Sequence, residues 1–241
     1  MSPDSLRRAK AYPYNIPARS YVVAEGSHQE LAPCAPAPDV EGCRAVLAVG
    51  SNQSPEQLLR KFPGSGWGAI PVIRARLSDF DIVYSPHVSS YGSIPATLFP
   101  SPGTTVTLFV NWLTPAQETH MHETEVATGN YHFGRLDGIE VQLEMGRALS
   151  SVYVYCSSRG SLVHNAAPIA LAEVGATGRK WPSLNQEDIQ AHVRDRLSPG
   201  LAIDQFIREA IADHSTRRTR TEALMADSLP FNFFGFTLIE V

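Results

Sequence analysis

The sequence has little that would tie it to a membrane, a nucleic acid or a metal. No apolar run approaches the roughly 20 residues a helix needs to span a bilayer, and the polar stretch Met1 to Lys10 has no secretory apolar region. Both absences point to a cytoplasmic protein. Lys and Arg number 20 against 24 Asp and Glu, a net charge of −4. The basic residues are scattered, so no positive face of the kind a phosphate backbone requires is present. Nucleic acid and membrane are set aside as partners, and a small-molecule substrate is expected. Cysteine is scarce: Cys34, Cys43 and Cys156 form an odd set without paired spacing. That argues against a disulfide framework or a zinc knuckle and for free thiols. No internal repeat is found, and nothing calls for a cofactor.

What is present is globular material. The 241 residues are 43% hydrophobic and 18% charged, enough for a sizeable core in one main domain with appendages. Residues 1–43 hold six of the 18 prolines, Pro33, Pro36 and Pro38 among them, and read as an extended N-terminal arm. The cluster Tyr12-Pro13-Tyr14-Asn15-Ile16 would dock this arm on the body as a strap, since its rings are too apolar for water. Residues 44–157 form the core. Ala45-Val46-Leu47-Ala48-Val49 is a short apolar run ended by Gly50, a strand buried on both faces. Ser54 and Pro55 then open a helix with Leu58, Leu59 and Phe62 on its apolar face. Strands are expected at 69–76, 80–85, 94–99 and 104–113, the last alternating polar with apolar. A helix follows from Pro115 to about Thr124, then strands from Tyr131 to Glu144 and from Ser151 to Cys156.

Residues 158–241 turn helical. Ile189, Val193 and Leu197 recur at four-residue spacing, Phe206, Ile207 and Ala210 give a second apolar face, and Thr216 to Met225 a third helix. The tail Phe231 to Val241 is too apolar to remain in water and packs either on the body or across a homodimer contact.

Chemistry concentrates in a few places. Gly50-Ser51-Asn52, at the end of a buried strand, presents backbone N–H groups with a hydroxyl and a carboxamide, a concavity suited to a carboxylate or a developing oxyanion. Taken alone it is also an ordinary turn. Further patterns follow it in order: Ala75-Arg76-Leu77-Ser78-Asp79-Phe80, then Gly92 to Gly103 with Pro95-Ala96-Thr97, then Val106 to Trp112, then Glu123-Thr124-Glu125, then Tyr131. His120, His122, Glu125 and His132 invite a metal, but helical residues two apart point about 200° from each other, so one ion is poorly served. Arg217, Arg218 and Arg220 read as a solvated helix face. Gly175 to Lys180 lacks the spacing of a phosphate loop and reads as a connector.

The ordered patterns between residues 44 and 157 resemble the γ-glutamylcyclotransferase family. Its members show a Tyr-Gly-Ser-Asn loop, an arginine-leucine strand, a proline-alanine-threonine strand and a glutamate after a short helix. The resemblance implies an α+β fold: a mixed β-barrel-like core with a cavity at its mouth, here with added C-terminal helices. It implies cyclisation of a γ-glutamyl-type amide to release 5-oxoproline, without metal or cofactor. Val49, Gly50, Ser51 and Asn52 would be the substrate-binding loop, Tyr131 a further substrate contact and Glu125 the general acid/base, with Glu123 as competitor. The family tyrosine before Gly-Ser-Asn is Val49 here, so a phenol is missing, and Tyr91, Tyr131, Tyr153 or Tyr155 would have to replace it.

The implied reaction needs a base, because the attacking α-amine is normally protonated. A free glutamate near pKa 4.3 is too acidic for that work. Placement beside Phe99 or Trp112 would raise it by roughly one to three units through desolvation. Two other classes compete: a non-catalytic binding or scaffold module on the same fold, and an amide hydrolase or acyltransferase of other substrate. Whether Glu125 faces the Gly50-Ser51-Asn52 loop across a cavity separates them.

Overall fold

The computed structural model describes residues 3–32 and 35–241. Pro33 and Cys34, one in the proline-rich stretch and one in the thiol set, lie outside the described residues. In chain order the elements are α1 Pro3–Lys10, β1 Tyr21–Ala24, β2 Ser27–Glu30, β3 Arg44–Ala48, α2 Pro55–Lys61, β4 Ile70–Tyr84, β5 Ala96–Leu113, α3 Pro115–Glu125, β6 Tyr131–Leu143, β7 Ala148–Ser157, α4 Gln186–Leu197, α5 Ile203–Ala212 and α6 His214–Met225. Two-residue strands lie between β7 and α4, and Phe236–Leu238 forms a last strand.

Five strands close on themselves. β3 runs antiparallel to β5, β5 to β4, β4 to β6 and β6 to β7, and a parallel pairing of β7 with β3 completes the ring. The fold is α+β around this mixed barrel. Closure satisfies strand edges that would otherwise invite another chain. Alternation decides what fills it. Along β5, Val106, Leu108, Val110 and Trp112 join the main core, while Phe109 and Leu113 on the other face belong to a second apolar layer that contains Met121 of α3 and Leu58 of α2. Thr114 caps α3 through a reciprocal box with Gln117, and Pro115 occupies its first turn.

The four strands expected at 69–76, 80–85, 94–99 and 104–113 are two long bent ones. Between Ser78 and Phe80 the register jumps, so that Asp79 faces Ser101 to Thr104 of β5. Asp79 and Gly103 both take positive φ there, and the Asp79 carboxylate accepts from the Gly103 N–H at 2.7 Å. A bulge of this kind bends a strand without ending it, which the turn residues Pro102-Gly103 had made look like a break. Beyond it, Asp81 is fully buried and gripped at both oxygens by Arg179, each at 2.9 Å. The connector Gly175 to Lys180 thus holds the folded-back half of the hairpin.

The N-terminal segment is not an extended arm. Residues 3–10 are helical, and β1 and β2 form a hairpin that adds to the edge of β4. Six prolines masked both, because the elements fit between them: Pro13 and Pro17 flank the turn, and neither interrupts a ladder. α1 packs on α5 through Leu6, Ala9 and Ile207. Ile189 and Val193 of α4 and Phe206 and Ala210 of α5 enter the main core. The tail strand pairs with Gly134 to Leu136 of β6. Gly134 is required there, since a Cβ would collide with the Phe236 ring. Phe234 alone of the tail phenylalanines is fully exposed. No helix among the described residues is long and apolar enough to cross a membrane.

Candidate active site

β3 and β7 end, β6 begins, and the bent tip of the β4–β5 hairpin arrives at one mouth of the barrel. A cavity of about 1200 Å³ opens there. Val49, Gly50, Ser51, Asn52, Glu125 and Tyr131 all line it. The loop itself is a single 3-10 turn, Ser51–Gln53, with no side-chain cap. The first N–H groups of such a turn have no acceptor within it.

Glu125 ends α3 and reaches this loop. Its Oε1 accepts from Asn52 Nδ2 at 2.9 Å and from Lys61 Nζ of α2. Both donors converge on the one oxygen, and among the described residues no hydrogen bond occupies Oε2. The side chain is 15% exposed. Its hydrogen-bond partners are therefore a cation and a carboxamide, and Phe99, one of the two aromatic neighbours expected from sequence, packs against Trp181. Glu123 points elsewhere. It is largely exposed and pairs with His120 at 2.9 Å.

The histidines of α3 part company. His120 stacks on Trp67 at 4.4 Å and bonds the Lys61 carbonyl through Nε2, while His122 meets the Tyr155 hydroxyl at 2.8 Å. Among the described residues no group of three His, Cys, Asp or Glu side chains gathers as a metal site. Cys43 and Cys156 are free thiols, and burial pushes the Cys156 thiol up.

Three of the four tyrosines offered in place of Val49 reach the cavity: Tyr91, Tyr131 and Tyr155. Tyr153 does not; it stacks on Phe133 and carries the Arg44 guanidinium. A fifth phenol lies nearer to the loop. Tyr12, from the N-terminal segment, sets its hydroxyl against Gly50, where any Cβ would strike it, and accepts from the Ala96 N–H at 2.8 Å. Since Oη is already an acceptor, its proton is available to a ligand. Tyr131 donates to the Ala96 carbonyl at 3.1 Å. Burial raises the pKa of Tyr12 and Tyr131 well above the usual phenol value, and pushes Tyr91 up to about 12. The wall thus presents neutral hydroxyls, never phenolates, at physiological pH.

No protein-family model matches the chain, and no curated protein matches it significantly. Similarity appears among solved structures. A structure described as gamma-glutamyl cyclotransferase shares 16% identity over 80% of this chain and 92% of its own, with a TM-score of 0.40. An uncharacterized human protein shares 16% over 80% and 92%, with a TM-score of 0.41. A yeast gamma glutamyl cyclotransferase specific to glutathione shares 14% over 77% and 95%, with a TM-score of 0.34. The fold itself stands on the closed ring of strand pairs.

Several cavity residues carried no signal in the sequence. Tyr12 read only as part of a strap, and nothing in the local sequence singles out Lys61. Arg217 and Arg218 line the cavity instead of forming a purely solvated face, and Arg220 is buried against Phe206 and Glu209. His87 and Arg159 also face the cavity, each from a loop between elements where no local pattern marks it.

Proposed function

We propose that the protein cyclises a γ-glutamyl-type amide, releasing 5-oxoproline, with Glu125 as general acid/base. The observation that carries this reading is the asymmetry of the Glu125 carboxylate. Asn52 and Lys61 fix Oε1, so the group cannot swing away, while Oε2 remains open beside the Gly50-Ser51-Asn52 turn.

In this reading the substrate α-amine gives a proton to Oε2 and attacks the γ-carbonyl carbon. One C–N bond forms within the substrate, the original amide C–N bond breaks, and the proton held on Oε2 passes to the departing nitrogen. No water is consumed. The uncapped N–H groups of the 3-10 turn stabilise the carbonyl oxygen as it becomes an oxyanion. Nucleophile and electrophile share one molecule, so a cavity that holds the chain bent supplies much of the acceleration. Tyr12 serves as a neutral donor against the substrate, in place of the phenol missing at Val49, while Tyr131, whose proton goes to the Ala96 carbonyl, offers its oxygen as an acceptor.

The test is incubation with γ-glutamyl dipeptides and γ-glutamyl-amines while 5-oxoproline is followed. Glu125→Gln preserves an acceptor at the Oε1 position and replaces only the open oxygen. It should lower kcat about 10²- to 10⁴-fold, the usual worth of a general acid/base. Equal turnover in the variant would remove Glu125 from the chemistry. Release of glutamate in place of 5-oxoproline would make the protein an amide hydrolase, and binding without any turnover would leave a binding module.

A further inference from the structure

The cavity wall is cationic although the chain carries a net charge of −4. Of its six Lys and Arg side chains, three have a carboxylate partner: Arg60 with Glu56, Lys61 with Glu125 and Arg218 with Glu222. The other three are Arg8, Arg159 and Arg217, and among the described residues none of them makes an ion pair. Arg8 stacks on Tyr91, and Arg217 donates to the Ala210 carbonyl. Arg159 differs from these two. It stands on the turn just after β7, and its guanidinium is aimed by the Asn130 carboxamide at 2.7 Å. Burial lowers its pKa from the ordinary value, with Tyr131 acting in the opposite sense. A partly desolvated cation without a counter-ion is costly, and an anionic ligand would relieve that cost.

His87 lies on the same wall. Its ring is buried and stands edge-on to Tyr131 at 5.9 Å. The imidazole belongs to a chain of hydrogen bonds whose direction can be worked out. The Arg159 backbone N–H donates to Ser157 Oγ at 3.1 Å. Ser157 Oγ and Ser85 Oγ are 2.7 Å apart, and Ser85 Oγ and His87 Nδ1 2.8 Å. If His87 donated from Nδ1, Ser85 would donate to Ser157, whose own proton would then face only a donor. The opposite order satisfies every group: Ser157 donates to Ser85, and Ser85 donates to Nδ1. The remaining proton of a neutral imidazole must then sit on Nε2. Burial first, and Arg159 second, push the pKa of His87 down to about 3, so the ring stays neutral.

We propose that the Arg159 guanidinium and the Nε2–H of His87 form a carboxylate subsite, which takes the substrate carboxylate adjacent to the attacking amine. The identity of that carboxylate rests on the cyclotransfer reading; the subsite does not. Glu125, Tyr131 and Arg159 line the one cavity, and Tyr131 is near enough to feel both charges. In this subsite the amine goes to Glu125 and the carboxylate on the same carbon turns to Arg159. Ser85 and Ser157 are positioning residues that act through the His87 tautomer. The ligand class that fits is an α-amino acid derivative with a free carboxylate, not an ester or amide of it.

Two measurements separate the subsite from the reaction. Calorimetry with glutarate, a dicarboxylate with no amine and no turnover, reads the subsite alone. Arg159→Gln should weaken glutarate about 10- to 100-fold, the effect of losing a charge-assisted contact. His87→Phe should weaken it less, and Arg159→Lys should recover part of the loss, which covers a Gln variant that fails to fold. In turnover of γ-glutamyl-alanine the same variants should raise KM more than they lower kcat. Long-range ¹H–¹⁵N spectra should show His87 protonated on Nε2, and Ser85→Ala should disturb that pattern. Glutarate binding with no 5-oxoproline formed would support the subsite and overturn the proposed reaction. Turnover with unchanged glutarate affinity and KM in Arg159→Gln, or no glutarate binding to the wild type, would overturn the subsite. Protonation of His87 on Nδ1 would remove it from the subsite.

Discussion

Two carboxylates in this molecule are each held by a cation, and they are held differently. Asp81, in the folded-back half of β4, is fully buried, and its two oxygens receive Arg179 Nε, Arg179 Nη2 and the Ile82 N–H. Each oxygen has a donor, and full burial closes both to a ligand. Glu125, at the cavity, receives its two donors on a single oxygen. The first arrangement fixes the frame. The second fixes a side chain while keeping one of its oxygens in play. An ion pair is therefore a poor label for function; an oxygen left free at a cavity separates a reagent from a strut.

The strongest test of that contrast is at the frame. Arg179→Met would strand the buried Asp81 charge and should cost about 3–5 kcal/mol of stability, measured by urea unfolding, with activity per folded molecule retained. A loss of activity at unchanged stability would erase the distinction between the two pairs.

A cavity group that nevertheless bears on stability gives the next largest effect. His87 has a folded pKa near 3 against an ordinary 6.5, so below pH 6.5 the unfolded chain binds a proton that the folded one refuses. The sign follows: stability falls as pH drops from 6.5 toward 3, by roughly 2–3 kcal/mol at pH 4.5. His87→Gln should flatten that part of the profile, and an unaltered slope would mean that the ring is protonated in the fold.

The smallest effect is expected where frame and cavity meet. Tyr12→Phe removes the acceptor of the Ala96 N–H and should cost about 1–2 kcal/mol. Because the same hydroxyl is offered to the ligand, KM should rise as well. A thermal melt and a Michaelis plot on one preparation read both, and a change in stability alone would confine Tyr12 to the frame.

Much of this was legible in the sequence, and the parts that were not share a cause. Gly50-Ser51-Asn52 reads from residues adjacent in the chain, and so does the helix ending at Glu125. The first barrel strand announces itself as a continuous apolar run and the stretch 104–113 by period-two alternation, whereas Asp79 and Gly103 bend the hairpin and imitate a break. Lys61, His87, Arg159 and Tyr12 acquire meaning only from partners far away in sequence, as with Tyr12 and Ala96, 84 positions apart. No window of neighbouring residues contains such information. The proline content of the first 43 residues misled for a related reason: composition reports what a segment avoids, and a short helix and hairpin fit between the prolines.

Tyr12 also bears on where this protein can be cut. The stretch that carries the family resemblance begins at Arg44, and a fragment trimmed to that boundary would look complete by its motifs. It would lack the phenol seated against Gly50, expose the Ala96 amide, and lose the hairpin strand that pairs with Val72 at the rim of β4. The smallest piece worth expressing therefore starts ahead of Tyr12, and a library of truncations scored for folding should show its sharpest step there, upstream of the region by which a relative would be recognised.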